Sequence, residues 1–301
     1  MGKSLCFRRF LRVITSLIFG LVIFQLFGCN TIEERSPFPQ IRQNNSIEEH
    51  RFGPVLSLFY RGRGQQITTV LIESDGARWI NGGSQPPSDP TPKDSIALNI
   101  FNDMVDKGSA PIVYLGRPCQ YTREQNLGSC QPSAWGRDRY ASPQADALAD
   151  ALDQVLRRRQ LGKQLIIAGH SGGGVMAVRV GYRMKSRGYN VLGIATMAAP
   201  LTPDIWTSNH QFDALKLDDL DTELLKLIEQ SCVYGWYGDK DLLVTTNDLD
   251  PNIRQYLGLN MHTATNVTHR NGWLSLWTTD VLPIMLRSEK GCGTKSDEYS
   301  N

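Results

Sequence analysis

The amino-acid sequence predicts an α/β fold: a doubly wound, mostly parallel central sheet with helices on both faces. Three observations carry this expectation. Short apolar or β-branched runs such as Pro111–Leu115, Leu165–Ala168 and Val191–Met197 have the length and character of strands buried on both faces. Other stretches repeat apolar residues at three- and four-residue spacing, as Ile96, Ile100, Phe101, Met104 and Val105 do. The two kinds of segment alternate over most of the chain, which is the pattern of βαβ units.

The N-terminal residues stand outside that pattern. Lys3, Arg8, Arg9 and Arg12 precede the apolar stretch Val13–Phe27, the charge-then-apolar order of a secretory signal. Leu26-Phe27-Gly28-Cys29 resembles the bacterial lipoprotein cleavage box, in which the cysteine becomes the lipidated first residue. That resemblance implies a signal peptide over 1–28, lipidation at Cys29, and a chain tethered to the membrane of the bacterial cell envelope, facing the periplasm or the exterior. The alternative is an uncleaved signal anchor, for which the apolar run is short. A myristoylation start is not met, because Cys6 stands where Ser or Thr is required. Residues 29–50 are polar and hold Pro37, Pro39 and Asn44-Asn45, so they read as a flexible tether to a single domain over 51–301. Cleavage before Cys29 leaves 273 residues and moves the formal charge from +2 to −2. The basic balance therefore belongs to the signal, and nothing points to a nucleic-acid partner.

Within the domain, Val55–Tyr60 and Thr68–Glu73 are strand-like and separated by Arg61-Gly62-Arg63-Gly64, which predicts a hairpin. Ser95–Lys107 is helical and closed by Gly108. The strand Pro111–Leu115 leads into a long connection, 116–141. Ser142-Pro143 then reads as N-cap and first position of a helix with Leu148, Leu152 and Val155 as its core stripe. Arg157–Arg159 suit the negative end of that helix dipole and read as a solvated end. Val191–Met197 is a further strand, 198–230 a small insertion ending in a helix near Leu220–Ile228, and Cys232–Tyr237 a strand. Asp250-Pro251 caps a short helix, Met261–Thr268 is a last strand, and Gly272–Arg287 is helical with a bend at Pro283.

The chemistry centres on Gly169-His170-Ser171-Gly172-Gly173. This G-x-S-x-G follows the buried run Leu165–Ala168 and opens a helix in which Val175, Val178 and Tyr182 recur at helical spacing. Strand, sharp turn with serine at its apex, helix is the context of a nucleophile elbow. The bland alternative is a Gly-rich βα turn. A P-loop is disfavoured because no Lys-Ser/Thr follows the glycines, and a dinucleotide fingerprint because the strand lies in mid-chain and G-x-G-x-x-G is not met.

A serine hydroxyl needs an imidazole base, itself oriented by a carboxylate. Ligand and catalytic groups in such sheets sit at the carboxyl ends of the strands. His269 follows the last predicted strand and occupies that edge. His262, near the start of that strand, falls on the wrong side, and His170 reads as a packing or pocket residue. For the acid, Asp239 and Asp241 both follow the strand ending at Tyr237, and spacing alone does not separate them.

The order Ser171, then an aspartate after the next-but-one strand, then His269 resembles the α/β-hydrolase superfamily over roughly residues 52–288. In that family G-x-x-D-x-x-V marks the acid, and Gly238, Asp241 and Val244 match it, so the resemblance selects Asp241 over Asp239. It also implies an oxyanion hole made by the backbone amide of Gly172 and by Gly76 or Ala77 from the loop after Thr68–Glu73. Asp75-Gly76 stands there in place of the family's His-Gly. The implied activity is that of a serine esterase acting on carboxylic esters or related acyl compounds through an acyl-enzyme. No cofactor is implied, and no Cys/His cluster has metal-ligand spacing. The partner is then a small-molecule acyl substrate, with Trp79, Trp135, Trp206 and the insertion as possible pocket walls. The other readings are a non-catalytic envelope lipoprotein and an acyltransferase with the same triad.

Besides Cys6 and Cys29, four cysteines remain in a chain expected to be exported. Cys119 and Cys130 share one long loop. Cys232 begins a strand, and Cys292 follows a final helix running back to the same end of the sheet. The expected bridges are therefore Cys119–Cys130 and Cys232–Cys292.

Overall fold

The computed structural model describes residues 46–62, 67–76, 87–108, 110–122 and 130–287. The expected lipidation site Cys29, together with Ala77, Trp79 and Cys292, lies outside the described residues. All described residues fall in one compact unit, Gln40–Asn301.

Eight strands form one sheet in the order β1-β2-β4-β3-β5-β6-β7-β8. They are β1 (Ile47–Phe52), β2 (Val55–Tyr60), β3 (Ile67–Ile72), β4 (Ile112–Leu115), β5 (Gln164–His170), β6 (Asn190–Met197), β7 (Cys232–Gly238) and β8 (Met261–Ala264). Neighbours from β4 through β8 run parallel, while β1 and β2 pair antiparallel at one edge. The expected α/β architecture is therefore present, with two corrections at its start.

The first concerns the predicted hairpin. Val55–Tyr60 and Ile67–Ile72 are not paired; β4 lies between them, antiparallel to β2 and parallel to β3. Every residue of β3 is buried, and both its edges are taken by parallel neighbours, β4 and β5. A hairpin partner would have displaced one of them. The real hairpin is β1–β2, turned by Gly53 at φ 56° with Phe52 opposite Val55. The second correction follows: the expected tether over 29–50 ends in a strand, because Ile47–His50 belong to β1. Glu48, Glu49 and Arg51 make that outer strand a charged edge, unfavourable for further strand addition.

The helices are α1 (Ile96–Asp106), α2 (Ser142–Arg158), α3 (Gly172–Ser186), α4 (Pro203–Asn209), α5 (Leu220–Gln230), α6 (Pro251–Leu257), α7 (Trp273–Leu276) and α8 (Leu282–Arg287). Alternate residues of the strands face opposite layers. Val70, Ile72, Val113, Leu165 and Ile167 join one cluster with Leu148 and Leu152 of α2, Val175 and Val178 of α3, and Leu224 of α5. On the other face Tyr114 meets Phe101 of α1 at 6.0 Å between ring centroids, and Trp236 Nε1 donates to Asp280 at 2.8 Å.

Several boundaries differ from expectation. Ala141, not Ser142, is the N-cap of α2. Ser142 is inside the helix and uses its polar atoms at a distance: its N–H donates to Asp218, and its Oγ accepts from the buried Arg179. The expected insertion over 198–230 contains α4 as well as the foreseen α5. Strand β8 stops at Ala264, four residues early, after which Asn266 adopts φ 58° and the chain leaves the sheet. The bend expected at Pro283 is absorbed differently. A π-helical stretch, Trp277–Val281, joins α7 to α8, and Pro283, which cannot donate to residue 279, sits just beyond it. Among the described residues, no helix is long and apolar enough to cross a membrane.

The Cys119–Cys130 bridge is present, closing an 11-residue separation inside the connection between β4 and α2. Cys232 is also disulfide-bonded; its expected partner Cys292 is outside the described residues. Trp135 packs with Cys119 and Ala134, and its Nε1 donates to the Pro87 carbonyl at 3.0 Å, so it braces the loop, and it does not line the cleft that holds Ser171 and His269. Replacing Cys119 and Cys130 together by alanine is expected to cost roughly 3 kcal/mol of stability, the chain-entropy value for a loop of this length. Urea unfolding of the two proteins checks this; equal midpoints would show that the loop is already ordered without its bridge.

Candidate active site

The carboxyl ends of β3, β5, β7 and β8 surround a cleft of about 300 Å³ lined by Ser74, Asp75, Gly76, Lys93, Asp94, His170, Ser171, Leu243, His269 and Arg270, among others. Ser171 stands between β5 and α3 with φ 54° and ψ −128°, a strained conformation for a residue with a side chain. The turn is tight because glycines allow it. A Cβ at 169 would overlap the Gly173 carbonyl, and one at 173 would overlap the Ile72 carbonyl at the end of β3. The Ser171 N–H donates to Met197 O at 2.7 Å, which anchors the turn to β6.

His269 Nε2 lies 3.1 Å from Ser171 Oγ, and His269 Nδ1 lies 2.8 Å from Asp241 Oδ2. A carboxylate only accepts, so Nδ1 carries the proton and Nε2 is left to accept from the serine hydroxyl. The second oxygen of Asp241 accepts from the backbone N–H groups of Leu243 (2.8 Å) and Val244 (3.0 Å). Burial raises the Asp241 pKa, but the bond and charge of His269 and these two amides outweigh it and hold the carboxyl below its ordinary value. Asp239 does other work: its Oδ1 accepts from the Val267 N–H at 3.3 Å and fastens the His269 loop to the Asp241 loop. His262 is remote from this group, stacked on Trp236 at 4.9 Å.

Two supports of His269 are not evident from the sequence. His170, buried in the floor of the cleft, donates from Nε2 to the His269 carbonyl at 2.8 Å. Trp273 Nε1 donates to the same carbonyl at 3.2 Å and to Thr268 O at 2.9 Å. Expected to be a packing or pocket residue, His170 thus also fixes the backbone of the histidine loop. The G-H-S order offered it as a neighbour of the serine, but nothing local foretold a partner 99 residues away. Trp206, 1 % exposed, is a core residue whose Nε1 donates to Leu243 O at 2.8 Å, steadying the Asp241 loop.

Gly172 opens α3 at the turn, where amides of the first helical turn lack intrahelical partners. Gly76 lines the opposite wall of the cleft. Among the described residues no group of three or more His, Cys, Asp or Glu side chains is arranged to hold a metal ion.

Desolvation, reinforced by the nearby His269, pushes the His170 pKa down to about 3. The native state keeps this imidazole neutral, whereas the unfolded chain protonates it below about 6.5. The unfolded state therefore binds more protons between those values, and stability, complete above pH 6.5, falls as pH drops. By pH 5 the loss from this group is about 2 kcal/mol. Urea midpoints at pH 7 and pH 5 should fall steeply for the wild type and less for His170→Gln. Equal slopes would contradict a neutral buried His170.

No protein-family model matches the chain, and no curated protein matches it by sequence. Solved structures do match in fold. The capsule O-acetyltransferase of Neisseria meningitidis serogroup A aligns over 81% of this chain and 96% of its own, with TM-score 0.52 and 13% identity. A puromycin-hydrolyzing peptidase of Mycobacterium tuberculosis aligns over 81% of this chain and 40% of its own, with TM-score 0.52 and 10% identity. A protein of unknown function from Agrobacterium tumefaciens, provisionally described as an α/β hydrolase, aligns over 81% and 97%, with TM-score 0.50 and 14% identity. The strand order, the helices on both faces and these likenesses together identify an α/β-hydrolase fold.

Proposed function

We propose that the protein is a serine hydrolase that cleaves carboxylic esters or related acyl compounds. The observation that carries this reading is the unbroken chain Ser171 Oγ, His269, Asp241, with links of 3.1 and 2.8 Å, opening onto a cleft. Ser171 Oγ attacks the acyl carbon while His269 Nε2 takes its proton. The imidazolium that forms is stabilised by Asp241, which remains ionised. His269 then returns the proton to the leaving oxygen as the acyl–oxygen bond breaks. A water molecule, deprotonated by the same imidazole, then adds to the acyl carbon; the acyl–Oγ bond breaks, the imidazolium returns its proton to Ser171 Oγ, and the acid leaves. The oxyanion of each tetrahedral intermediate is held by the amide of Gly172 with that of Gly76 or Ala77.

The same machinery delivers the acyl group to an alcohol whenever an alcohol, not water, occupies the acceptor position. The fold shared with an O-acetyltransferase makes that outcome worth measuring in parallel. The export reading goes with this proposal: an envelope protein held by lipid at Cys29, whose replacement by serine is expected to release the chain from the membrane fraction.

A fluorophosphonate probe is expected to label the wild type and not Ser171→Ala. Equal labelling of both proteins, or of neither, would end the serine-hydrolase reading. Asp241→Asn is expected to lower kcat on a chromogenic acetyl ester by about 10³–10⁴-fold, since the imidazole loses its oriented tautomer. An unchanged kcat would remove Asp241 from the mechanism. Adding alcohol acceptors during turnover then separates hydrolysis from transfer by the product formed.

A further inference from the structure

A second charged group lies beside the nucleophile turn, with Asp75 reaching the cleft. Asp75, two residues beyond buried Glu73 at the end of β3, has a side chain only 5% exposed. Its Oδ1 pairs with Arg117 Nη1 at 3.0 Å, and its Oδ2 with Arg139 Nε at 3.1 Å. Both guanidiniums are as deeply buried as the carboxylate. Tyr140 completes the group, donating its hydroxyl to Asp75 Oδ2 at 2.7 Å while its ring lies under Arg139 (5.1 Å) and Arg117 (5.6 Å). The four residues come from three places in the chain: the β3 loop, the β4 loop and the entry to α2.

This group touches the turn directly. A Cβ at position 172 would overlap the Asp75 carboxylate and stand 2.6 Å from the Tyr140 hydroxyl, so the carboxylate packs against Gly172 where a side chain would otherwise stand. Arg117 Nη1 also reaches the Gly172 carbonyl at 3.4 Å. Asp75 is at the same time the residue before Gly76. One side chain is therefore fixed against the first expected oxyanion donor and covalently adjacent to the second.

Stability alone gives little reason for such an arrangement. Buried ion pairs seldom outperform apolar packing, because desolvation consumes most of the Coulombic gain. Their better-attested use is to specify one geometry. We propose that Asp75, clamped by Arg117, Arg139 and Tyr140, is a positioning residue that sets the separation of the Gly172 amide from the amide beyond it, and so the shape of the oxyanion hole. This rests on Ser171 being the nucleophile. Displacements below 1 Å in such a site alter the chemical step far more than ground-state binding.

The test uses Tyr140→Phe, which removes one hydroxyl from the clamp, and Asp75→Asn, which removes its charge. Active sites are first titrated with the fluorophosphonate, so that rates refer to folded, labelled molecules. On p-nitrophenyl acetate, kcat per titrated site is expected to fall about 3–10-fold for Tyr140→Phe and about 10–100-fold for Asp75→Asn. KM should be unchanged, and the rate constant for phosphonylation, whose adduct also places an oxygen in the hole, should fall in parallel. If both variants lose melting temperature but keep kcat per site, the group is only structural and the proposal is overturned. If Asp75→Asn does not fold, Tyr140→Phe decides alone. A wild type that resists the probe overturns the nucleophile assignment itself, a failure distinct from equal rates in a wild type and variants that all label.

Discussion

At the end of β5 the backbone must pass closer to its neighbours than any residue with a side chain permits, and the site is built on that approach. Gly169 and Gly173 lie against each other, and Gly173 lies against the last carbonyl of β3. Between them Ser171 takes a positive φ, a conformation costing on the order of 1–3 kcal/mol that persists only where its surroundings enforce it. The surroundings here are β5 between two parallel neighbours and the almost wholly buried start of α3. Because the strain is held there, the serine hydroxyl is lifted into the cleft and the free end of α3 faces the same space.

Once the turn is fixed, the other groups must be brought to it across long stretches of chain, and each arrives on a braced loop. His269 is oriented through its ring by Asp241 and through its carbonyl by His170 and Trp273. Asp241 is seated by two amides of its own loop, which Trp206 steadies from below. Asp239 joins the two loops. Such polar contacts gain strength in a low-dielectric interior when all their members are satisfied. The result is an arrangement of Ser171, His269 and Asp241 held in place from several sides.

The features legible in the sequence are those with a local signature. The elbow glycines, the apolar strand before them and the amphipathic helix after them sit within a few dozen residues. Likewise Asp241 and His269 could be placed at strand ends by counting strands. Asp241 needed the family pattern as well, since Asp239 has the same spacing claim. What was not legible depends on pairing between distant segments. The position of β4 between β2 and β3 is decided by which edges β3 must fill, and no local run announces that. A buried carboxylate clamped by Arg117 and Arg139 reads in sequence as three ordinary charges in loops. The brace from His170 to the His269 carbonyl is equally silent, because a histidine beside the turn serine looks the same whether it packs, titrates or holds a loop.

The proposed mechanism requires Ser171 to carry the acyl group during turnover. Wild-type protein quenched in acid during the first turnovers of p-nitrophenyl acetate, its tryptic peptides then mapped by mass, gives the most immediate test. One acetyl group is expected on the peptide Gln164–Arg179, located at Ser171 by fragmentation and absent from Ser171→Ala. Sustained hydrolysis without an adduct on that peptide, or an acetyl group on another residue that persists in Ser171→Ala, would contradict it.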